Sequence, residues 1–249
     1  MAMVSDEVSA SEEGSMRVSM VRSYGNSARA VERRCGFFMH IAVLMLALMT
    51  MANPAWAEAT KPVKLVVLGD SLSAGLGLPG QEAFPIKLQK ALQAKGIAVD
   101  MTNAGVSGDT SSGGRDRLDW SVPDGTDGVI VELGANDALR GIDPDLTRKA
   151  LTDIVARLKA RKIPVMLCGM LAPPNYGAEY AARFNSIYPD LAKTFDVPLY
   201  PFFLEGVAAD AKLNQADGIH PTAAGVDIIV GRIMPTVEAF VGTIHEQQR

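Results

Sequence analysis

Five short runs of apolar, β-prone residues recur along the chain at 63–68, 97–101, 129–133, 165–170 and 197–200, and patterns with helical periodicity fill the spaces between them. A strand that is apolar along its whole length has no face to turn toward water. It needs cover on both sides. Such strands alternating with helices predict a parallel sheet with helices on both faces, the α/β class. The helical patterns fall at 83–95, 110–118, 144–161, 180–195 and 222–240. Asp143 is placed to cap the third of them, with Pro144 at its first position, and Pro235 is placed to bend the last.

This architecture directs attention to one rim. In open parallel sheets the binding crevice lies beyond the carboxyl ends of the strands. Ser71 follows the first run, which Gly69 ends, and Asn136 follows the third. Both are therefore expected at the same edge of the sheet.

Residues 1–57 carry a different pattern. Arg29, Arg33 and Arg34 supply positive charge, an apolar run broken only by Thr50 covers 41–51, and Ala55-Trp56-Ala57 has the small-x-small form of a signal cleavage site. An apolar run of this length is too short to span a bilayer, which needs about twenty residues. The expectation is a secretory signal segment cut after Ala57, a periplasmic or secreted product, and no stable membrane anchor. Residues 58–249 are then one domain, large enough to bury a core without staples. Removing 1–57 takes away five acids and five arginines, so the net charge stays at −4. With no basic stripe, nucleic-acid binding is not expected. Cys168 is the cysteine that remains, inside a buried-strand pattern, and it reads as an inert core thiol and not as a nucleophile.

Three separated segments supply the parts of a nucleophilic acyl-transfer site. Gly69-Asp70-Ser71-Leu72 offers a serine on a turn, although such a turn favours these residues for backbone reasons alone. After residue 57 there are two histidines, and His245 sits in a polar tail. His220 is the serious choice of base. Asp217 precedes it by three residues in a glycine-containing loop, and Pro221 fixes the backbone after it. That spacing lets the carboxylate reach Nδ1 and leaves Nε2 to face Ser71. Asn136 carries an amide suited to an oxyanion, as well as to capping its own turn. Further donors are the Ser71 N–H and a backbone N–H within 103–109, where glycines let the chain approach a substrate. Leu76, Leu78, Leu139, Leu171, Tyr176 and Ile219 offer apolar surface for an acyl chain, or simply for packing the rim.

Taken together, Gly69-Asp70-Ser71-Leu72-Ser73, Ser107-Gly108-Asp109-Thr110, Gly134-Ala135-Asn136-Asp137 and Asp217-Gly218-Ile219-His220-Pro221 resemble the SGNH, or GDSL-type, hydrolase family in order and separation. Ala135 stands where that family often has glycine. The resemblance implies a flavodoxin-like three-layer α/β/α sandwich and no metal or cofactor. It implies Ser71 as nucleophile, His220 as base and Asp217 as its orienter. It also implies Ser71, Gly108 and Asn136 as oxyanion donors. The expected substrate is a small acyl ester, thioester or lysophospholipid, and the expected state is a monomer.

Other readings fit less well. Gly75-Leu76-Gly77-Leu78-Pro79-Gly80 matches a dinucleotide-binding pattern, but it begins six residues after Gly69, and Pro79 falls where the helix should already run. Ser71 lacks the flanking glycines of the α/β-hydrolase nucleophile elbow. A zinc hydrolase would need a fuller ligand set. A non-catalytic acyl-binding module would keep its pocket after Ser71→Ala, whereas an esterase would lose turnover.

Overall fold

The computed structural model describes residues 61–247. The segment expected to serve as a signal, 1–57, lies outside the described residues. Five strands form one parallel sheet: β1 (Val63–Gly69), β2 (Val99–Gly105), β3 (Gly128–Glu132), β4 (Val165–Cys168) and β5 (Leu199–Tyr200). Their spatial order is β2-β1-β3-β4-β5. The chain steps outward from β1 to β2 and then crosses back to β3, so the winding direction reverses between β1 and β3. A reversal of this kind opens a crevice at the carboxyl ends of those two strands.

Helices cover both faces, as the apolar strands require. On one face α2 (Phe84–Ala94) packs against α9 (Ala223–Gln247). On the other, α6 (Pro144–Ala160) packs against α3 (Ser111–Asp116) and α8 (Ile187–Phe195). All five residues of β3 are buried, as is β1 apart from Lys64. The predicted α/β class, with a parallel sheet of five strands between helical layers, is what the fold shows.

Several boundaries move for local reasons. The second strand runs 99–105 and not 97–101, because it follows β1 in register from Val63↔Val99 to Gly69↔Gly105. Its later residues are polar and lie at the sheet edge, where Asp100, Thr102 and Asn103 are exposed, so no apolar run marks them. Ile97 belongs instead to the turn closing α2, its N–H donating to Leu92 O at 3.0 Å. The fourth strand stops at Cys168 because the chain draws against the next strand's exit. The Gly169 N–H donates to Tyr200 O at 2.7 Å, and a Cβ on Gly169 would stand 2.1 Å from Pro201 O.

The helix expected at 180–195 is two, α7 (Gly177–Asn185) and α8, parted at Ser186. Pro189 has no N–H to give to the carbonyl four residues back, so a continuous helix would lose a bond there. The pattern at 110–118 likewise divides into α3 and α4 (Leu118–Ser121). The last helix extends beyond 240, because Val241 and Ile244 continue the buried stripe begun by Val237 and Phe240. α6 starts as expected, with the Asp143 carboxylate accepting from the Asp145 N–H at 3.1 Å. Among the described residues no helix is long and apolar enough to cross a membrane.

Candidate active site

Ser71 opens α1 (Ser71–Ala74), a single helical turn directly beyond β1. Asp70 caps it, with Oδ1 accepting from the Leu72 N–H at 2.9 Å. The Ser71 N–H lies in the first turn, where backbone donors have no partner within the helix. Beneath this turn the structure is dry: Asp70, Ser73 and Glu132 have no solvent exposure. Ser73 Oγ donates to Glu132 Oε2 at 2.7 Å, while Glu132 Oε1 is buried with no hydrogen-bond partner among the described residues. Burial pushes the Glu132 carboxyl far above the ordinary range, and the charge of Asp70 adds to that. Burial also raises Asp70, to about 6, against the opposing pull of the Leu72 N–H and the Asn136 amide.

His220 reaches this turn from the far end of the chain. Its Nε2 lies 2.8 Å from Ser71 Oγ, and its Nδ1 lies 2.7 Å from Asp217 Oδ2. An ionised carboxylate can only accept, so in the neutral ring Nδ1 carries the hydrogen and Nε2 presents its lone pair to the serine hydroxyl. Asp217 Oδ1 accepts from the N–H groups of Ile219 at 2.9 Å and His220 at 3.0 Å. These bonds, led by that from His220, hold the Asp217 carboxyl far below the usual carboxylate range.

Asn136 sits in α5 (Ala135–Leu139), just beyond β3 on the opposite side of the crevice from α1. Its Nδ2 donates to Asp109 O at 2.9 Å and to Asp70 Oδ2 at 3.2 Å. Arg140 joins it to the loop after β2, one guanidinium nitrogen bonding Gly108 O at 2.9 Å and Asn136 Oδ1 at 3.4 Å. Gly108 itself lies on an exposed turn. That loop is anchored from below by Arg117, which bonds Asp109 Oδ2 at 2.5 Å, Ala104 O at 2.8 Å and Gly69 O at 2.8 Å. The guanidinium thus ties the end of β1 to the end of β2.

A cleft of about 620 Å³ opens at Ser71 and His220, with walls that are mainly apolar. Leu139, Leu171 and Ile219 line it, as do Met170, Phe202 and Leu204. The structure does not bring the other three expected apolar residues to this wall. Leu76 lies in the turn after α1, where its carbonyl accepts from Gln215 Nε2 and the residue is 45 % exposed. Leu78 packs at the margin of the core. Tyr176 turns away, its hydroxyl donating to Leu139 O at 2.8 Å and its ring lying 5.2 Å from that of Tyr180. Phe202 and Leu204 were missed because β5 is too short to announce a rim, although a segment leaving a strand's carboxyl end is where a wall should be sought. Cys168 is buried away from this chemistry, with burial as the first cause raising its thiol far above its ordinary value. Among the described residues no group of three His, Cys, Asp or Glu side chains is placed to hold a metal.

The arrangement can activate a hydroxyl next to an apolar cleft, and known proteins similar to this chain are hydrolases. Residues 67–228 match the model of the GDSL-like Lipase/Acylhydrolase family. The chain is 38 % identical over 197 residues to Esterase TesA of Pseudomonas aeruginosa, covering 79 % of this chain and 96 % of that one. It is 41 % identical over 186 residues to Thioesterase 1/protease 1/lysophospholipase L1 of Escherichia coli K12, covering 74 % and 85 % respectively. Among solved structures, AlinE4, an SGNH-hydrolase family esterase, aligns with TM-score 0.61 at 46 % identity, over 72 % of this chain and 96 % of its own.

Proposed function

Because this chain belongs to the GDSL-like lipase/acylhydrolase family and is an ester-bond hydrolase, we propose that it cleaves acyl esters, thioesters or lysophospholipids through an acyl-enzyme on Ser71. The observation that carries this reading is the Ser71 Oγ to His220 Nε2 distance of 2.8 Å, with Asp217 on the other ring nitrogen. As Oγ attacks the acyl carbonyl, Nε2 takes its proton, and the imidazolium is stabilised by the Asp217 carboxylate. The imidazolium then protonates the departing alcohol or thiol. In the second half the same nitrogen takes a proton from water, whose oxygen attacks the acyl carbon, and returns it to Ser71 Oγ as the acid leaves.

The negative charge that forms on the carbonyl oxygen needs donors. Those of this reading are the N–H groups of Ser71 and Gly108 and the Asn136 amide. Asn136 must free one hydrogen to serve, and its 3.2 Å bond to Asp70 Oδ2 is the longer of its two. The acyl chain lies along Leu139, Leu171 and Ile219 in the apolar cleft. Residues 58–249 act as one hydrolase domain. Residues 1–57 direct export and are cut after Ala57, which makes the enzyme periplasmic or secreted; the arginines and the apolar run at 41–51 support this.

A rate profile over p-nitrophenyl esters of rising acyl length, run beside Ser71→Ala, tests the reading. Wild type should turn over esters with a preferred length, and Ser71→Ala should fall by several orders of magnitude. Comparable turnover by the variant would refute it.

A further inference from the structure

Gln215 lies five residues before His220 and makes three bonds that bear on it. Its own N–H donates to His220 O at 2.7 Å. Its Nε2 gives one hydrogen to Pro221 O at 3.0 Å and the other to Leu76 O at 2.7 Å. Both acceptors are carbonyls, so the amide nitrogen, and not its oxygen, must face them. Leu76 belongs to the turn that closes α1, where the Gly75 and Leu76 N–H groups both donate to Ser71 O at 3.1 Å. A continuous path of hydrogen bonds therefore runs from the Ser71 carbonyl through Leu76 and Gln215 to the carbonyls of His220 and Pro221, directly after the imidazole.

The rest of the loop does not provide this link. Asp217 bonds within the loop, to Ile219 and His220, and Asn214 pairs with Pro221. Among the described residues, the other hydrogen bond joining 213–222 to the turn at 70–78 is the His220–Ser71 contact itself. Gly77 leaves room for the tie. A Cβ there would stand 2.2 Å from Gln215 Oε1, and the residue takes φ +77°, so glycine is needed twice over. Gly77, one of the glycines that imitate a dinucleotide-binding pattern, thus has a role at this contact.

Resting on the reading of Ser71 and His220 given above, we infer that Gln215 is a positioning residue that sets the separation of imidazole and serine hydroxyl by tying the base-bearing loop to the turn after the nucleophile. Gln215→Met keeps length and volume while deleting both side-chain donors. It should lower kcat by about tenfold to a hundredfold, the scale expected when a catalytic group is displaced by a fraction of an ångström to an ångström. KM should stay within about twofold, since the cleft is untouched. Covalent labelling of Ser71 by p-nitrophenyl ethylphosphonate should slow by the same factor as kcat. Gly77→Ala should act through the same contact, so the double variant should be no worse than the poorer single.

An unchanged kcat, a loss confined to KM, unchanged labelling, or additive effects of the two substitutions would each overturn the inference. If Gln215→Met does not fold by circular dichroism, Gln215→Asn, which withdraws the amide by one methylene, carries the same expectations. Turnover in Ser71→Ala comparable to wild type would sink the triad reading itself. A dead Ser71→Ala beside a fully active Gln215→Met would sink this inference alone.

Discussion

Ser71 stands on a turn whose neighbours Asp70, Ser73 and Glu132 are sealed from solvent, whereas the loop that presents His220 leaves the Asp217 side chain 45 % exposed. The first region is held by burial: it sits at the end of the inner strand β1, above a buried carboxyl, with Arg117 clamping the end of that strand. The second is held by hydrogen bonds near the surface, with Asp217 accepting from two backbone N–H groups and Gln215 donating to three carbonyls. A buried polar network is costly to break and couples to global stability, while surface bonds in a loop contribute little to it. The two regions should therefore fail differently when altered. On the nucleophile side a supporting residue is also a folding residue; on the base side activity can be lost with the fold intact.

The largest expected effects test whether the two sides form one unit. Ser71→Ala and His220→Ala should each lower kcat by about 10⁶-fold, and the double variant should be no worse, because groups acting together are not additive. Steady-state assays and circular dichroism check both, and a sum of the two losses would break the unit. Asp217→Asn should cost about 10³- to 10⁴-fold in kcat by spoiling the ring's orientation and tautomer. Its midpoint of urea unfolding should stay close to that of wild type, because the carboxylate sits in an exposed loop. A large loss of stability there would erase the contrast. Asn136→Ala should cost on the order of a hundredfold in kcat through the oxyanion, with KM little changed.

The smaller effects concern the buried side. Glu132→Ala should lower the unfolding free energy by about 2–4 kcal/mol, by opening a cavity and leaving Ser73 Oγ without its acceptor. Urea unfolding measures it. Asp70 sharpens the picture further, because its folded value of about 6 lies above the ordinary 3.8. Between those values the folded chain holds a proton that the unfolded chain has lost. The resulting stabilisation is complete below pH 3.8 and vanishes as pH rises through about 6. Wild type minus Asp70→Asn, unfolded in urea from pH 4 to pH 7, should show a difference that falls with pH; a rising difference would reverse the assignment.

Much of this was legible because the central strands and the site obey short-range rules. β1 and β3 are apolar throughout, so their class and depth could be read directly, and the residues just past them had to emerge at one rim. Ser71, Asn136, Asp217 and His220 stand together where the blocks suggested. The edges were less legible. The second half of β2 is polar, so only its register with β1 reveals it, and the division at Ser186 depends on where Pro189 falls within the turn. Leu76, Leu78 and Tyr176 offer apolar surface to an acyl chain or to packing of the rim, and which of the two a loop residue serves is set by tertiary partners such as Gln215 and Tyr180. Gln215 itself carried no local signal, since Leu76, the partner that ties it to the nucleophile's turn, lies 139 residues away.

The borders of the sheet have a consequence for handling the protein. On one side the outermost strand carries Asp100, Thr102 and Asn103 toward water; on the other it is two residues long and followed at once by Pro201. Neither offers the long, flat, apolar ladder on which a neighbouring molecule could template a further strand. Concentrated solutions should thus resist fibril growth by border-to-border stacking, which thioflavin fluorescence on storage would check.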